Sequence, residues 1–298
     1  MRIASLLPSA TEIVCALGME RELVAVTHEC DYPESVRGKP VLTRSVLSGT
    51  RSGAEVDRHI RELVHQGSSI YALDSPLLEA LHPDLIVTQE LCEVCAVSYP
   101  IVERAARRLG SSPQLVSLEP ESLEDVFENI RFIGSLVGRS DAAARVCDAL
   151  RRRVAAVEER VAGRTRRRVV CLEWVDPPFN CGHWTPELVA LAGGHELLGA
   201  ARQPANAIDW QRVIDVHPDV VVVMACGFSL DRSLLEVEAA RGRFDVLGAD
   251  TWVVDGNAFF SRPGPRLVDS LEIMAGILHP GAADPPPPST ARRLQAPG

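Results

Sequence analysis

Short apolar runs alternate along the chain with amphipathic stretches. Ile3–Leu7, Leu23–Thr27 and Ser69–Leu73 read as strands in the first third, and Val169–Leu172, Val220–Val223 and Trp252–Asp255 as strands in the second half. Runs this short, apolar throughout and bounded by turn residues, suit strands buried on both faces. Between them lie helix signals. Ser9-Ala10-Thr11-Glu12 predicts a capped start after the first strand, Ser52-Gly53-Ala54-Glu55 a second, and Thr185 with Pro186 a third that stops at Gly193-Gly194. The rhythm predicts α/β architecture with parallel sheets.

A repeat divides this pattern in two. Asp74 to Glu90 and Asp209 to Ala225 each carry an acidic start, a short amphipathic helix, His-Pro-Asp and an apolar strand. His82 and His217 occupy equivalent places, at the amino ends of their strands, and read as turn residues. Two lobes of similar topology follow. Between them Ser122 to Ala162 is the longest helical pattern, with Cys147, Leu150, Val154, Val157 and Val161 at alternating steps of three and four. Gly138, followed by Ser140 and Asp141, breaks it into two helices. The expected organisation is an N-terminal α/β lobe over 1–121, connecting helices over 122–165, a C-terminal α/β lobe over 166–280 and a disordered Pro-rich tail over 281–298.

Composition narrows the function. With 298 residues and 46% hydrophobic content the chain can bury two cores, and no apolar run approaches the roughly 20 residues of a membrane span. A net charge of −9 lacks the basic footprint of a nucleic-acid binder, and the runs Arg151–Arg153 and Arg164–Arg168 read as the solvated side and end of a helix. The apolar part of the N-terminus is cut short by Pro8, too soon for an export signal, which places the protein in the cytoplasm. P-loop, G-x-G-x-x-G, G-x-S-x-G and H-E-x-x-H motifs are missing, so the sequence favours a binder over an enzyme.

In open α/β sheets ligands bind beyond the carboxyl ends of the strands. There the chain places His28, Glu29, Cys30 and Asp31, then Gln89, Glu90, Cys92 and Cys95, then Glu173, Trp174, Asp176, Cys181 and His183, then Cys226. Trp174, Phe179, Trp184, Phe259 and Phe260 fall in two loops at this edge and suit a flat, largely apolar ligand. Cys15, Cys147 and Cys171 sit at apolar positions and read as core. Cys92 and Cys95 form a C-x-x-C pair that, with Cys30 and Cys181, could hold zinc or an iron–sulfur cluster if the lobes converge, giving a cytosolic metallo-thiolate protein with a redox or enzymatic role. Plain loop thiols are the other reading of these cysteines.

Four segments resemble the vitamin B12 and iron-chelate substrate-binding proteins: Ile3 to Glu12, Leu81 to Val87, Trp174 to Phe179 with Gly182-His183-Trp184, and Asp255 to Arg266. The resemblance implies two α/β lobes joined by a backbone helix and a corrinoid such as cobalamin, or another metal chelate, held between them. It implies a pocket lined by Trp174, Phe179, Trp184, Phe259 and Phe260 with Ser9 and Arg262 nearby; His28 and His183 are further candidate contacts. The family role implies an ABC permease as partner, which a cytoplasmic protein without an export signal would not meet.

Overall fold

The computed structural model describes residues 1–47, 52–65, 70–89, 98–110 and 112–295. In chain order the first elements are β1 (Ile3–Ser5), α1 (Pro8–Ala16), β2 (Leu23–Ala25), β3 (Thr43–Ser45), α2 (Gly53–His65), β4 (Tyr71–Leu73), α3 (Ser75–Leu81), β5 (Leu85–Thr88), α4 (Tyr99–Arg108) and β6 (Gln114–Ser117). Two helices follow, α5 (Leu123–Leu136) and α6 (Ser140–Val161). Then come β7 (Arg167–Val175), β8 (Pro178–Asn180), α7 (Thr185–Leu191), β9 (Gly194–Glu196), α8 (Trp210–Asp215), β10 (Val220–Val223), α9 (Leu230–Ala239), α10 (Arg241–Asp245), β11 (Asp250–Val254), α11 (Leu267–Leu278) and β12 (Ala291–Arg293). Among the described residues no helix is long and apolar enough to cross a membrane.

The chain forms two compact units. The first comprises residues 1–51, 55–120 and 125–148, the second 52–54, 121–124 and 149–298. The expected connecting segment is therefore not a module of its own: the boundary falls inside α6, between Asp148 and Ala149. Gly138 takes a φ of 67°, which ends α5 and allows α6 to begin at Ser140 as the sequence predicts. At 22 residues α6 is about 33 Å long. Cys147, Leu150, Val157 and Val161 on its apolar stripe are buried.

The first unit holds a parallel sheet of order β2-β1-β5-β6. Its core joins Ala4, Leu6, Ala25 and Ile86 to Leu78, Val102 and Ala105 from the covering helices. The stretch before α3 departs from expectation: β4 pairs antiparallel with β3 in a separate two-stranded sheet. Helix α1 also starts differently. Pro8 takes the first helical position, Leu7 is the extended cap residue, and no side chain caps the end. Proline at that position brings the right φ and no N–H to satisfy, which moves the cap two residues ahead of the Ser9 that spacing predicts. At α7 the cap moves by one residue, with Trp184 rather than Thr185 in that position.

The second unit holds β12-β11-β10-β7-β8, with β9 on the remaining stretch of β7. Strands β7, β10 and β11 are parallel and in step, Val169 beside Val220 and Val220 beside Asp250. Val170, Leu172, Val221, Val223 and Val253 pack against Val213, Leu230, Val237 and Phe244. Arg153 is not a plain solvated side chain: it forks onto Glu272, at 2.6 and 2.9 Å, and onto Asp269, joining α6 to α11. The Pro-rich tail is also ordered as far as residue 295, correcting the expectation of disorder. Asp284 and Pro286 lie against Gly276 of α11, and β12 pairs antiparallel with β11.

The repeat seen in the sequence is a repeat of backbone geometry. His82 and His217 both adopt φ of 44°, turning the chain out of a helix and into a strand. The aspartate that follows ties down the neighbouring strand. Asp84 Oδ2 accepts the Arg2 N–H at 2.6 Å and Asp219 Oδ2 accepts the Arg168 N–H at 2.8 Å. Their own N–H groups return bonds of 2.8 Å to the carbonyls of Arg2 and Arg168.

Candidate functional site

The carboxyl ends of β7, β10 and β11 form one edge of the second unit, since the three strands run parallel. Trp174, near the end of β7, meets Phe228, which follows β10, with ring centroids 4.7 Å apart and planes at 47°. The Arg232 guanidinium stands 5.0 Å from the centre of the Phe228 ring and is held by Glu236 at 2.7 Å. Across the hairpin, Phe179 pairs with Trp174. This gives two partly exposed aromatic rings, Trp174 and Phe179, with a third, Phe228, and a cation beside them.

The loop after β11 is locked to this group. Asn257 N–H donates to the Phe228 carbonyl at 3.1 Å, and the Asp255 carboxylate accepts the Ala258 N–H at 2.8 Å, capping the π-turn Gly256–Phe260. Phe259 is partly exposed under the Arg266 guanidinium, 5.5 Å from the ring centre. Gly256 sets the approach: a Cβ there would lie 2.4 Å from the Ala225 carbonyl oxygen and 2.7 Å from Met224 backbone atoms. Because those atoms are backbone, Gly256→Ala is expected to destabilise the protein by about 1–3 kcal/mol, read as a lowered midpoint in urea with unchanged slope.

Other expected ligand contacts also bond or pack within the second unit. The Trp184 indole N–H donates to the Phe260 carbonyl at 2.9 Å, and both residues are buried. His183 stacks on Trp184 at 5.5 Å, takes a φ of 48°, and bonds through its backbone to Gln203 and Arg202. Burial holds its imidazole below the usual histidine range. Arg262 is buried, 3% exposed, beneath the same loop.

In the first unit Ser9 is buried on α1, and His28 lies after β2 with Nδ1 2.7 Å from the Thr43 hydroxyl, Nε2 3.3 Å from Glu29 and its ring 5.2 Å from Tyr71. Cys30 is buried in a chain of hydroxyls. Ser5 donates to the Leu7 carbonyl, Thr11 donates to Ser5, and the Thr11 hydroxyl lies 3.1 Å from the Cys30 sulfur. Thr27 lies 3.1 Å from the same sulfur. Cys92 and Cys95 lie outside the described residues. Among the described residues the sulfur next to Cys181 is that of Cys171, with Glu196 beside both.

Sequence reasoning missed Phe228, Glu196 and strands β6, β8 and β9. It also gave Glu173 no role, yet this carboxyl is enclosed at the end of β7 and accepts the Gly182 N–H at 3.0 Å. Burial, with smaller contributions from Cys226 and Glu196, pushes its pKa up to about 8.

Parallel-sheet α/β units with aromatic loops at the carboxyl edge define a substrate-binding fold. The chain belongs to the periplasmic binding protein family, whose pattern it matches over residues 3–252. It is 23% identical over 277 residues to the vitamin B12-binding protein of Vibrio cholerae, covering 91% of this chain and 86% of that one. The vitamin B12-binding protein of Yersinia pseudotuberculosis matches at 23% over 239 residues, 77% and 71% of the two chains. Among solved structures, the periplasmic vitamin B12 binding protein of Vibrio cholerae superposes with a TM-score of 0.65 at 20% identity, over 93% of this chain and 96% of that one. A periplasmic heme binding protein of Pseudomonas aeruginosa reaches 0.72 at 19% identity, over 100% and 99%. These likenesses establish the fold.

Proposed function

We propose that the chain is a substrate-binding protein for a corrinoid or a closely related flat metal chelate, acting as the ligand-capturing component of an ABC-type transport system. The observation that carries this reading is the group of Trp174, Phe179 and Phe228 with Arg232, joined through Asn257 to the Phe259 loop. Aromatic faces bury the flat apolar surface of a macrocycle, and a guanidinium answers its carboxylate or amide edge. Relatives named for vitamin B12 and structural neighbours named for vitamin B12 and heme support the same ligand class.

Titration of the purified protein with cyanocobalamin and, separately, with hemin tests it. The expected result is saturable quenching of tryptophan fluorescence together with a shift in the visible bands of one of the two chromophores at micromolar concentration. Silence with both removes the reading. Saturation with hemin alone moves the assignment from corrinoids to porphyrins.

A further inference from the structure

Strand β7 changes its edge partner midway. β9 pairs with it as far as Val169, and β8 pairs with it from Leu172 onward. Cys171 lies close to the junction, and its N–H is taken by a side chain instead of a strand: Glu196, at the end of β9, turns inward and accepts it through Oε2 at 3.0 Å. Oε1 of the same carboxylate accepts the N–H groups of Leu198 and Gly199, each at 2.9 Å. The carboxylate is thus fixed by three backbone donors, and it also accepts the Cys171 thiol proton, the place a cation bound to that sulfur would take.

The antiparallel register that puts Leu172 opposite Asn180 puts Cys171 opposite Cys181 one step further on. Both cysteines are fully buried. The two sulfurs and a Glu196 oxygen all lie within 4.8 Å of one another. Gly199 closes over them, since a Cβ at that position would come 2.5 Å from the Cys181 sulfur.

We propose that Cys171, Cys181 and Glu196 are a binding site for a thiophilic divalent cation of the zinc type. Two thiolates and a carboxylate are donors that zinc takes in tetrahedral geometry, at about 2.3 Å from sulfur and 2.0–2.2 Å from oxygen. Donor atoms on such an ion stand roughly 3.3–3.8 Å apart, within the span these three already occupy. Backbone donors that orient a ligating carboxylate are the usual support of such sites. On binding, the two thiols release their protons to solvent and no electrons move. The ion would tie β9 to the β7–β8 hairpin that carries Trp174 and Phe179. The inference is independent of the ligand those rings take.

The C-x-x-C pair is a competing sulfur site, so the test starts from the full chain with Cys92→Ser and Cys95→Ser. Purified with zinc and desalted, this protein is expected to keep about one ion per chain, and cobalt in place of zinc to show thiolate-to-cobalt charge-transfer absorption. Adding Cys181→Ser should abolish that absorption, and adding Glu196→Gln should weaken cobalt binding at least tenfold. Two results would overturn the site: no cobalt–thiolate absorption in the starting variant, or absorption that survives both Cys171→Ser and Cys181→Ser. If a serine variant fails to fold, the starting variant and Glu196→Gln decide.

Discussion

Trp174→Ala is expected to weaken corrinoid binding roughly thirtyfold, the equivalent of about 2 kcal/mol, while Trp174→Phe keeps most of the affinity. The size follows from the ring's position. Trp174 is partly exposed, gives its indole N–H to the Gly53 carbonyl at 3.3 Å, packs on Phe228 and has Phe179 as its cross-strand partner. An aromatic anchor held this way gives up little freedom when it binds, and truncating it strips the ligand face and loosens Phe228 together. Leu235, on α9 and 63% exposed, serves as the control, and Leu235→Ala should leave affinity unchanged. Fluorescence or visible titration at a single ionic strength gives all the constants. Equal affinity of Trp174→Ala and the parent chain would mean that the ligand sits elsewhere.

Glu173→Gln should change how stability depends on pH. In the unfolded chain this carboxyl loses its proton near pH 4.5, whereas in the folded protein it holds the proton up to about pH 8. Between those values the folded state binds more protons than the unfolded state, so stability must fall as pH rises. The contribution is fully present below pH 4.5 and gone above 8. The full shift corresponds to about 5 kcal/mol, and water drawn to the carboxylate once it ionises reduces this to an expected effect of about 2–4 kcal/mol. Glutamine can still accept the Gly182 N–H and has no proton to lose. In metal-free, reduced protein, urea unfolding from pH 4.5 to 9 should show the parent chain declining relative to Glu173→Gln. Parallel curves would show that Glu173 ionises normally.

Much of the fold was legible because it is written in local chemistry. The His-Pro-Asp repeat marks two places where a left-handed residue, a proline and an aspartate turn a helix into a strand, and φ of 44° at both histidines is the physical content of that repeat. What was not legible depends on pairing. Strands β8 and β9 are three residues each, too short to show a period, and exist because β7 offers them an edge. Cys171 reads correctly as core and Cys181 as a loop thiol, but that they face one another follows only from the hairpin register. The aromatic positions were found by their place after strands. Whether a ring faces solvent or closes the core was not readable: Trp184 and Trp174 look equivalent in the sequence and both give the indole N–H to a backbone carbonyl, Phe260 and Gly53, yet the first is buried and the second partly exposed. Phe228 was overlooked because it follows β10 by several residues and reaches the edge through a turn at Gly227, where φ is 71°.

The order in the C-terminal tail has a bearing on how the protein behaves in company. β11 would otherwise be an open edge of a sheet, its N–H and C=O groups ready to pair with any extended chain. β12 occupies that edge through Ala291, Arg292 and Arg293, and two cationic residues in a strand of three make a poor template for further addition. Arg293 is fastened to Asp250 at 2.5 Å, at the start of the strand it covers. The prolines ahead of it, Pro285 to Pro288, can cross the surface without leaving amide donors unsatisfied, having none. A segment that looks like an unstructured end therefore acts as a hem: it finishes the sheet so that neighbouring molecules cannot be stitched onto it.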